Sequence, residues 1–239
     1  MKIFYAQYDE DKILNKIFKN RKNGICAEVG GFDGLTGSNT MFFENIGWSC
    51  LIVEPMPEFC KKIKILRKCI VAQYAASTGE GSADFYIAEG VETLSTMEHS
   101  DAHFLRINST PGSNLRKISV KTKRLDDILI EHGFDSIDFI TIDVEGHEIS
   151  VLNGLDFKKI KIKILIIEDN SNGFDRSVKN LMALNGYRRF KKTGCNDWYT
   201  NDPDIYSSLD VLYTEIKIIS FLLKQRIKPF VPSFLRRKV

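Results

Sequence analysis

Several features that would mark a membrane, secreted or zinc-binding protein are missing from this chain of 239 residues. No apolar run has the length that a transmembrane helix needs, and no apolar signal segment follows Met1. The five cysteines are odd in number and include no C-x-x-C pair, which disfavours a disulfide framework and a zinc site. We therefore expect a cytoplasmic protein whose thiols are reduced.

Net charge is also low, at +3, but the charges are distributed unevenly. Residues 216–239 carry seven cations and no acid, which leaves the rest of the chain net acidic. A net acidic body argues against nucleic acid as a partner. We divide the chain into a single domain at 1–215, with a helical lead-in at 1–24, and a C-terminal helix and basic tail at 216–239.

The basic tail interleaves its cations with apolar residues such as Phe230 and Phe234. This pattern predicts a segment that lies on an anionic membrane surface, here the inner face of a membrane. A packed helix followed by a disordered basic end is the alternative.

One stretch organises the rest of the chain: residues 25–40 form a pattern of apolar strand, glycine turn and helix start. The glycines allow a sharp turn and a close approach of the backbone to a ligand, and the polar residues suit a helix N-terminus. Doubly wound folds hold nucleotide-like cofactors with such a unit. The residues are Gly30, Gly31 and Gly34 in the turn and Ser38, Asn39 and Thr40 at the helix start.

Two carboxylates in this stretch indicate which cofactor fits. Glu28 stands just before the glycines and Asp33 lies within the turn, where both would repel a pyrophosphate. S-adenosylmethionine (SAM) instead carries a sulfonium, an ammonium and ribose hydroxyls, which carboxylates stabilise through charge-assisted hydrogen bonds. The glycine spacing also departs from G-x-G-x-x-G. The turn therefore favours SAM over a dinucleotide.

The ends of the next two predicted strands complete an adenosine site. A strand predicted at 48–53 ends in an acid, and a strand predicted at 70–76 ends in small residues. The acid can accept hydrogen bonds from both ribose hydroxyls, and the small residues allow adenine to pack closely. The predicted adenosine contacts at these ends are Glu54, Pro55, Ala75 and Ala76.

Ionisable side chains gather at the ends of two further predicted strands. Because ligands bind beyond the carboxyl ends of parallel strands, we expect these side chains to face one crevice. Such clustering predicts a functional site, although acids that cap the following helices are the alternative. The residues are Asp143, Glu145 and His147 after the strand at 137–142, and Glu168 and Asp169 after the strand at 163–167.

The remaining predicted elements lie outside this crevice. The segment 89–117 is polar and irregular, which is typical of a lid or a disordered loop. Edge strands are predicted at 187–192, 198–200 and 211–214, as an antiparallel addition to a mixed sheet. An apolar helix is predicted at 216–223.

These motifs together resemble the FkbM family of SAM-dependent methyltransferases over residues 5–200. The most specific run is Ile142 to Glu148, in the pattern Ile-Asp-x-Glu-Gly-x-Glu, with the acid Glu168 one strand later. The resemblance implies an α/β, Rossmann-like class I methyltransferase fold, with a mostly parallel seven-stranded sheet and helices on both faces. The residues that we expect to contact SAM are Gln7, Glu28, Gly30, Asp33, Gly34, Ser38, Asn39, Glu54, Pro55, Ala75, Ala76 and Asp143.

Family members methylate hydroxyls, frequently on sugars, so the resemblance implies a sugar or glycolipid acceptor. Methyl transfer depends on alignment, and a sugar hydroxyl must also lose its proton. We expect Asp143 and Glu168 to border the methyl-transfer site, with His147 or Glu145 as the base. A second version places Mg²⁺ or another divalent cation on Asp143, Glu168 and Asp169, where it would lower the pKa of the hydroxyl.

Three other functions stay open at this point. An O-methyltransferase of a small natural product would use the same residues. A nicotinamide-dependent oxidoreductase would also hold a ribose through Glu54, although Glu28, Asp33 and the missing glycines count against it. A non-catalytic protein that keeps the fold is disfavoured by the intact set of acids at the strand ends.

Overall fold

A computed structural model of the chain describes residues 2–97, 105, 107, 109, 110, 113–171 and 173–227. The helices in this part of the chain are α1 (Glu10–Ile17), α2 (Met41–Asn45), α3 (Pro57–Leu66), α4 (Leu125–Glu131), α5 (Glu148–Asn153), α6 (Ser177–Leu184) and α7 (Ser208–Ile227). The strands are β1 (Ile25–Val29), β2 (Ser49–Val53), β3 (Ile70–Ala72), β4 (Ala75–Ser77), β5 (Gly81–Glu89), β6 (Asn114–Arg124), β7 (Ser136–Ile142), β8 (Lys161–Glu168), β9 (Arg188–Thr193) and β10 (Asn196–Thr200).

Seven of these strands form one sheet, in the order β3-β2-β1-β7-β8-β10-β9. Strand β1 pairs in parallel with β2 on one side and with β7 on the other, and β8 runs parallel to β7. Strand β10 runs antiparallel to both of its neighbours. This arrangement confirms the predicted mostly parallel, seven-stranded sheet of a Rossmann-like fold.

Side chains along the central strands alternate between two apolar cores, one on each face of the sheet. Ala27 and Val29 pack in one core with α4, α5 and α6, whereas Cys26 packs in the other core with α1 and α2. After its first residue, β7 is buried throughout, as is typical of a parallel strand that helices cover on both sides. The prediction of helices on both faces is therefore confirmed.

The predicted third strand, at 70–76, is wrong in its extent because the chain divides there between two sheets. Strand β3 ends at Ala72, whose carbonyl accepts a hydrogen bond from the Tyr74 N–H at 3.1 Å and closes a tight turn. Strand β4 then joins a separate three-stranded sheet, in the order β4-β6-β5. The turn moves Ala75 and Ala76 out of the main sheet.

The predicted edge strand at 211–214 is wrong, because these residues belong to α7. Thr214 and Ile218 lie one helical turn apart, and both are buried. The Thr214 hydroxyl donates a hydrogen bond to the Phe190 carbonyl of β9 at 3.1 Å. The boundary that the sequence places after residue 215 therefore falls inside a single helix packed on the sheet.

Two predicted segments lie partly outside the described residues. In 89–117, the structure describes a 3₁₀ turn at Glu92–Leu94 and the start of β6. In 216–239, it describes the chain as far as residue 227, and residues 228–239 lie outside. No helix among the described residues is both long and apolar enough to cross a bilayer.

Candidate active site

The carboxyl ends of β1, β2, β7 and β8 meet at one edge of the main sheet. The order of the strands reverses there, between β1 and β7, and open α/β sheets bind ligands at such a reversal. Two adjoining cavities open at this edge, and Gly30, Asp143 and Glu145 line both of them. The glycine turn and the acid cluster therefore meet in one place.

The glycine turn touches the end of β7 directly. Gly30 has a φ of +86°, and a Cβ built on it would lie 1.7 Å from the Asp143 carbonyl oxygen. Any other residue at this position would push the two strand ends apart. Phe32 follows with a φ of +47°, an unfavourable conformation for a bulky residue that is typical of functional turns.

Glu54 lies buried at the end of β2. Its Oε2 accepts a hydrogen bond from the Phe32 N–H at 3.0 Å, and its Oε1 accepts one from the Met56 N–H at 2.8 Å. Burial raises the pKa of Glu54 to about 7, and these hydrogen bonds limit the increase. Each carboxylate oxygen can accept a further hydrogen bond, such as one from a ribose hydroxyl.

The first cavity extends from Glu54 over an apolar surface. Phe32 and Phe59 pack edge to face there, with ring centroids 4.6 Å apart. A flat, largely apolar ring such as adenine suits a cavity of this composition. All the predicted adenosine contacts line this cavity, namely Glu54, Pro55, Ala75 and Ala76.

The second cavity holds three buried polar atoms without a hydrogen-bond partner among the described residues. They are Asn39 Oδ1, Thr141 Oγ1 and Glu168 Oε2. Buried polar groups without partners are rare, because each costs free energy unless a ligand or water satisfies it. The amide and carboxylate oxygens are acceptors, so this cavity fits a ligand that brings ammonium or hydroxyl donors.

Three carboxylates converge on the second cavity. Asp143, Glu145 and Glu168 each place an oxygen within 4.8 Å of the others. Burial raises the pKa of Glu168 well above its ordinary value, and the negative charges of Asp143 and Glu145 raise it further. The cluster can therefore share a proton or bind a cation.

The loop after β7 separates the two predicted bases. Glu145 has a φ of +52°, and its carbonyl accepts a hydrogen bond from the Thr96 hydroxyl at 2.8 Å. His147 Nε2 lies 3.3 Å from the Ser77 hydroxyl oxygen. Glu145 lines both cavities, whereas His147 lines only the first of the two. Of the two, Glu145 is the one that lies beside the unpartnered acceptors.

Glu28 has a structural role in the turn. Its carboxylate accepts hydrogen bonds from the Ser38 and Thr40 hydroxyls at 2.8 and 2.6 Å, and from the Asn39 N–H at 2.9 Å. These bonds hold the chain at the start of α2. Glu28 also lines the second cavity, and its contact with a cofactor stays a prediction.

Asp33 folds back on its own turn. Its Oδ1 accepts hydrogen bonds from the Leu35 and Thr36 N–H groups at 2.9 and 2.8 Å. Burial would raise the pKa of Asp33, but these hydrogen bonds outweigh it and hold the pKa below its ordinary value. Asp33 lines neither cavity, and the same is true of Gly34 and Ser38.

Asp169, predicted as a metal ligand, lies apart from the acid cluster. Its carboxylate accepts a hydrogen bond from the Ser171 N–H at 3.0 Å and pairs with Lys192 Nζ at 3.5 Å. Glu168 lines the second cavity, whereas Asp169 does not. Among the described residues, the group that can hold a metal ion is instead Asp143, Glu145 and Glu168.

Sequence reasoning missed several residues that line the second cavity, among them Tyr5, Tyr8, Thr141 and Cys195. Thr141 lies in β7 two residues before Asp143, and both line the second cavity, so this spacing is a signal that could have found it. The other three residues reach the cavity through packing of the lead-in on the β9–β10 hairpin. In this contact, Glu10 Oε1 accepts hydrogen bonds from the Thr193 hydroxyl at 2.7 Å and from Asn196 Nδ2 at 3.0 Å. This contact brings the lead-in, with Gln7, to the β9–β10 hairpin, and no local pattern predicts it.

Comparison with known proteins gives a family match and distant structural similarities. Residues 28–189 match the family model described as "Methyltransferase FkbM domain". No curated protein matches the chain. A SAM dependent methyltransferase from Aquifex aeolicus is similar at 10% identity and a TM-score of 0.41, over 81% of this chain and 88% of that chain. A precorrin-6y C5,15-methyltransferase from Geobacter metallireducens GS-15 is similar at 10% identity and a TM-score of 0.36, over 79% of this chain and 84% of that chain.

Proposed function

The chain belongs to the FkbM methyltransferase family, and we propose that it transfers a methyl group from SAM to a hydroxyl on a sugar of a glycan or glycolipid. The family match, over residues 28–189, gives the general class, a SAM-dependent methyltransferase. One observation supports the choice of an oxygen acceptor: Glu168 Oε2 is buried and unpartnered in the second cavity. A sugar hydroxyl is a poor nucleophile until a base accepts its proton, and Glu168 suits that role.

The two cavities fit the methyl donor. In the first, Glu54 would hold the ribose hydroxyls, and adenine would lie against Ala75 and Ala76. In the second, Asn39 Oδ1 and Asp143 would accept hydrogen bonds from the ammonium group. When bound, the donor supplies a methyl group on a positively charged sulfur.

The chain itself contributes alignment, negative charge and a proton acceptor. Asp143 follows the strand end that touches Gly30, so the turn and the acid cluster hold a fixed relative position. A raised pKa makes the ionised Glu168 a stronger base, which can accept the hydroxyl proton at Oε2. Glu145 is the alternative base because it lies in the same cluster.

A divalent cation is a second version of the same chemistry. Asp143, Glu145 and Glu168 offer hard oxygen ligands close together, and one of these oxygens is buried without a partner among the described residues. A cation there would lower the pKa of the acceptor hydroxyl. If this version holds, EDTA should abolish turnover and Mg²⁺ should restore it. Turnover that survives EDTA excludes it.

Two measurements test the proposed function. Calorimetry should show binding of S-adenosylhomocysteine (SAH) and none of NADH, whereas the oxidoreductase alternative requires the reverse. SAM with a labelled methyl group should then label sugar hydroxyls in an acceptor panel that also contains small natural products. Label on nitrogen or carbon would contradict O-methylation, and label confined to the natural products would replace the sugar acceptor.

A further inference from the structure

Helix α7 is apolar on two opposite faces, and one of them packs against the sheet. Thr214 and Ile218 are buried on the packed face, next to β9. The opposite face is exposed, and its apolar residues recur at alternating intervals of three and four residues. We call this exposed set the α7 stripe, and it consists of Leu209, Leu212, Ile216, Ile219 and Leu223.

The α7 stripe is more exposed than the apolar face of an ordinary surface helix. Leu212 and Ile216 are each 55% exposed, and Leu223 is 51% exposed. Single exposed apolar residues are common on protein surfaces. A continuous stripe along a helix of 20 residues instead marks an interaction surface.

Cations border the α7 stripe. Helical periodicity places Lys217 and Lys224 along one edge of the stripe and Arg226 at its C-terminal end. Lys217 Nζ lies 4.5 Å from the centroid of the exposed Tyr213 ring, a cation–π contact beside the stripe. The sequence beyond the described residues continues this composition, with four more cations and no acid in 228–239.

We propose that the α7 stripe docks the protein on an anionic lipid bilayer, with the helix lying in the plane of the membrane surface. An interfacial helix buries its apolar stripe at the boundary of the acyl chains, and its flanking cations contact lipid phosphates. Since α7 is not apolar enough to cross a bilayer, this surface orientation is the one that suits it. The stripe begins at Leu209, so the docking surface starts before the predicted segment at 216–239.

A second copy of the chain is the competing occupant, because the spacing of the α7 stripe also suits a coiled coil. Arg226 falls at the next position of the same repeat, so parallel pairing would place two arginines in the seam. No acid follows Glu215 in α7 to pair with Lys217 and Lys224 of a partner. Glu215 itself already pairs with Arg189, at 2.9 Å. Anionic lipid, in contrast, neutralises every cation along the helix.

Vesicle co-sedimentation of the full-length protein tests the proposal. Vesicles of phosphatidylcholine with phosphatidylglycerol are compared with vesicles of phosphatidylcholine alone. The test variant combines L212Q, I216Q and L223Q. The control variant combines I65Q and L184Q, at residues of α3 and α6 that are 83% and 85% exposed. We expect wild type and control to bind the anionic vesicles, and the test variant to bind about tenfold more weakly or worse.

The test does not depend on catalysis, so its failure leaves the proposed function intact. Equal partitioning of the test and control variants overturns the proposal, as does equal binding to both kinds of vesicle. A dimer in sedimentation velocity that the test variant alone loses, with no vesicle binding, overturns it in favour of a second copy. If the test variant does not fold, a K217Q/K224Q/R226Q variant takes its place and should lose the preference for anionic vesicles.

Discussion

The acids of the glycine turn and the acids at the ends of β7 and β8 look alike in the sequence, but the structure satisfies them differently. Glu28 accepts three hydrogen bonds, and Asp33 accepts hydrogen bonds from its own turn. Glu168 leaves one oxygen unpartnered among the described residues and lies close to two other carboxylates. The number of nearby donors therefore separates acids that hold the backbone from an acid that is available for chemistry.

The largest expected effect is that of Glu168→Gln, which removes the unsatisfied acid. If Glu168 accepts the hydroxyl proton, kcat should fall by about 10²–10⁴-fold, while SAH binding and the fold persist. The raised pKa of Glu168 also predicts that kcat of the wild type increases with pH, because only the ionised carboxylate accepts a proton. Steady-state kinetics of both proteins across the pH range measure this. If kcat of the Glu168→Gln variant equals that of the wild type, Glu168 is not the proton acceptor, and the two groups of acids do not differ in function.

Glu28→Ala should act on stability instead. It removes the acceptor of the Ser38 and Thr40 hydroxyls and of the Asn39 N–H, all close to a buried site. The free energy of unfolding should fall by about 2–4 kcal/mol, as measured by urea denaturation. Glu28→Gln, which keeps one acceptor oxygen, should recover part of the loss. A small change in stability with a large loss of SAH affinity would instead place Glu28 among the cofactor-binding residues.

Glu54 is intermediate between the two groups of acids, because it is buried but accepts two backbone hydrogen bonds. We therefore expect its replacement to change stability less, and in a way that depends on pH. Its pKa is raised from 4.5 to about 7 on folding, so the folded protein holds an extra proton between these values. The free energy of unfolding should therefore fall as pH rises through this window, by at most about 1.4 kcal/mol per pH unit from this group. Glu54→Gln should flatten the dependence, which denaturation at a series of pH values measures. An equal slope in both proteins contradicts the prediction.

Asp33→Asn should have the smallest effect. Asparagine keeps an acceptor oxygen and so retains most of the hydrogen bonding in the turn. We expect the free energy of unfolding to change by less than about 1 kcal/mol, and SAH affinity, measured by calorimetry, to stay close to that of the wild type. A tenfold loss of affinity would show that Asp33 does reach the cofactor.

The positions of the strand ends could be predicted because they depend on local patterns. Apolar runs closed by turn residues locate β1, β2, β7 and β8, and parallel strands bring their carboxyl ends to one edge. That reasoning is sufficient to bring Glu54, Asp143 and Glu168 to the cavities.

Side-chain direction and long-range packing could not be predicted in the same way. Asp169 follows Glu168 in the sequence, yet its carboxylate pairs with Lys192 and does not line the second cavity. The β-branched and aromatic residues at 211–214 favour a strand by their local preference. The structure instead has a helix there, in which Thr214 packs on β9. Cys195 reaches the second cavity only through the β9–β10 hairpin.

The close approach of Gly30 to the Asp143 carbonyl limits how this enzyme can be redesigned. With no room for even a methyl group, the glycine turn and the base of the acid-bearing loop behave as one rigid block. Enlarging the turn to admit bulkier donor analogues would dislodge the acids at the same time. Engineering for such analogues should therefore start at Ala75 and Ala76, which line the first cavity and belong to a different sheet.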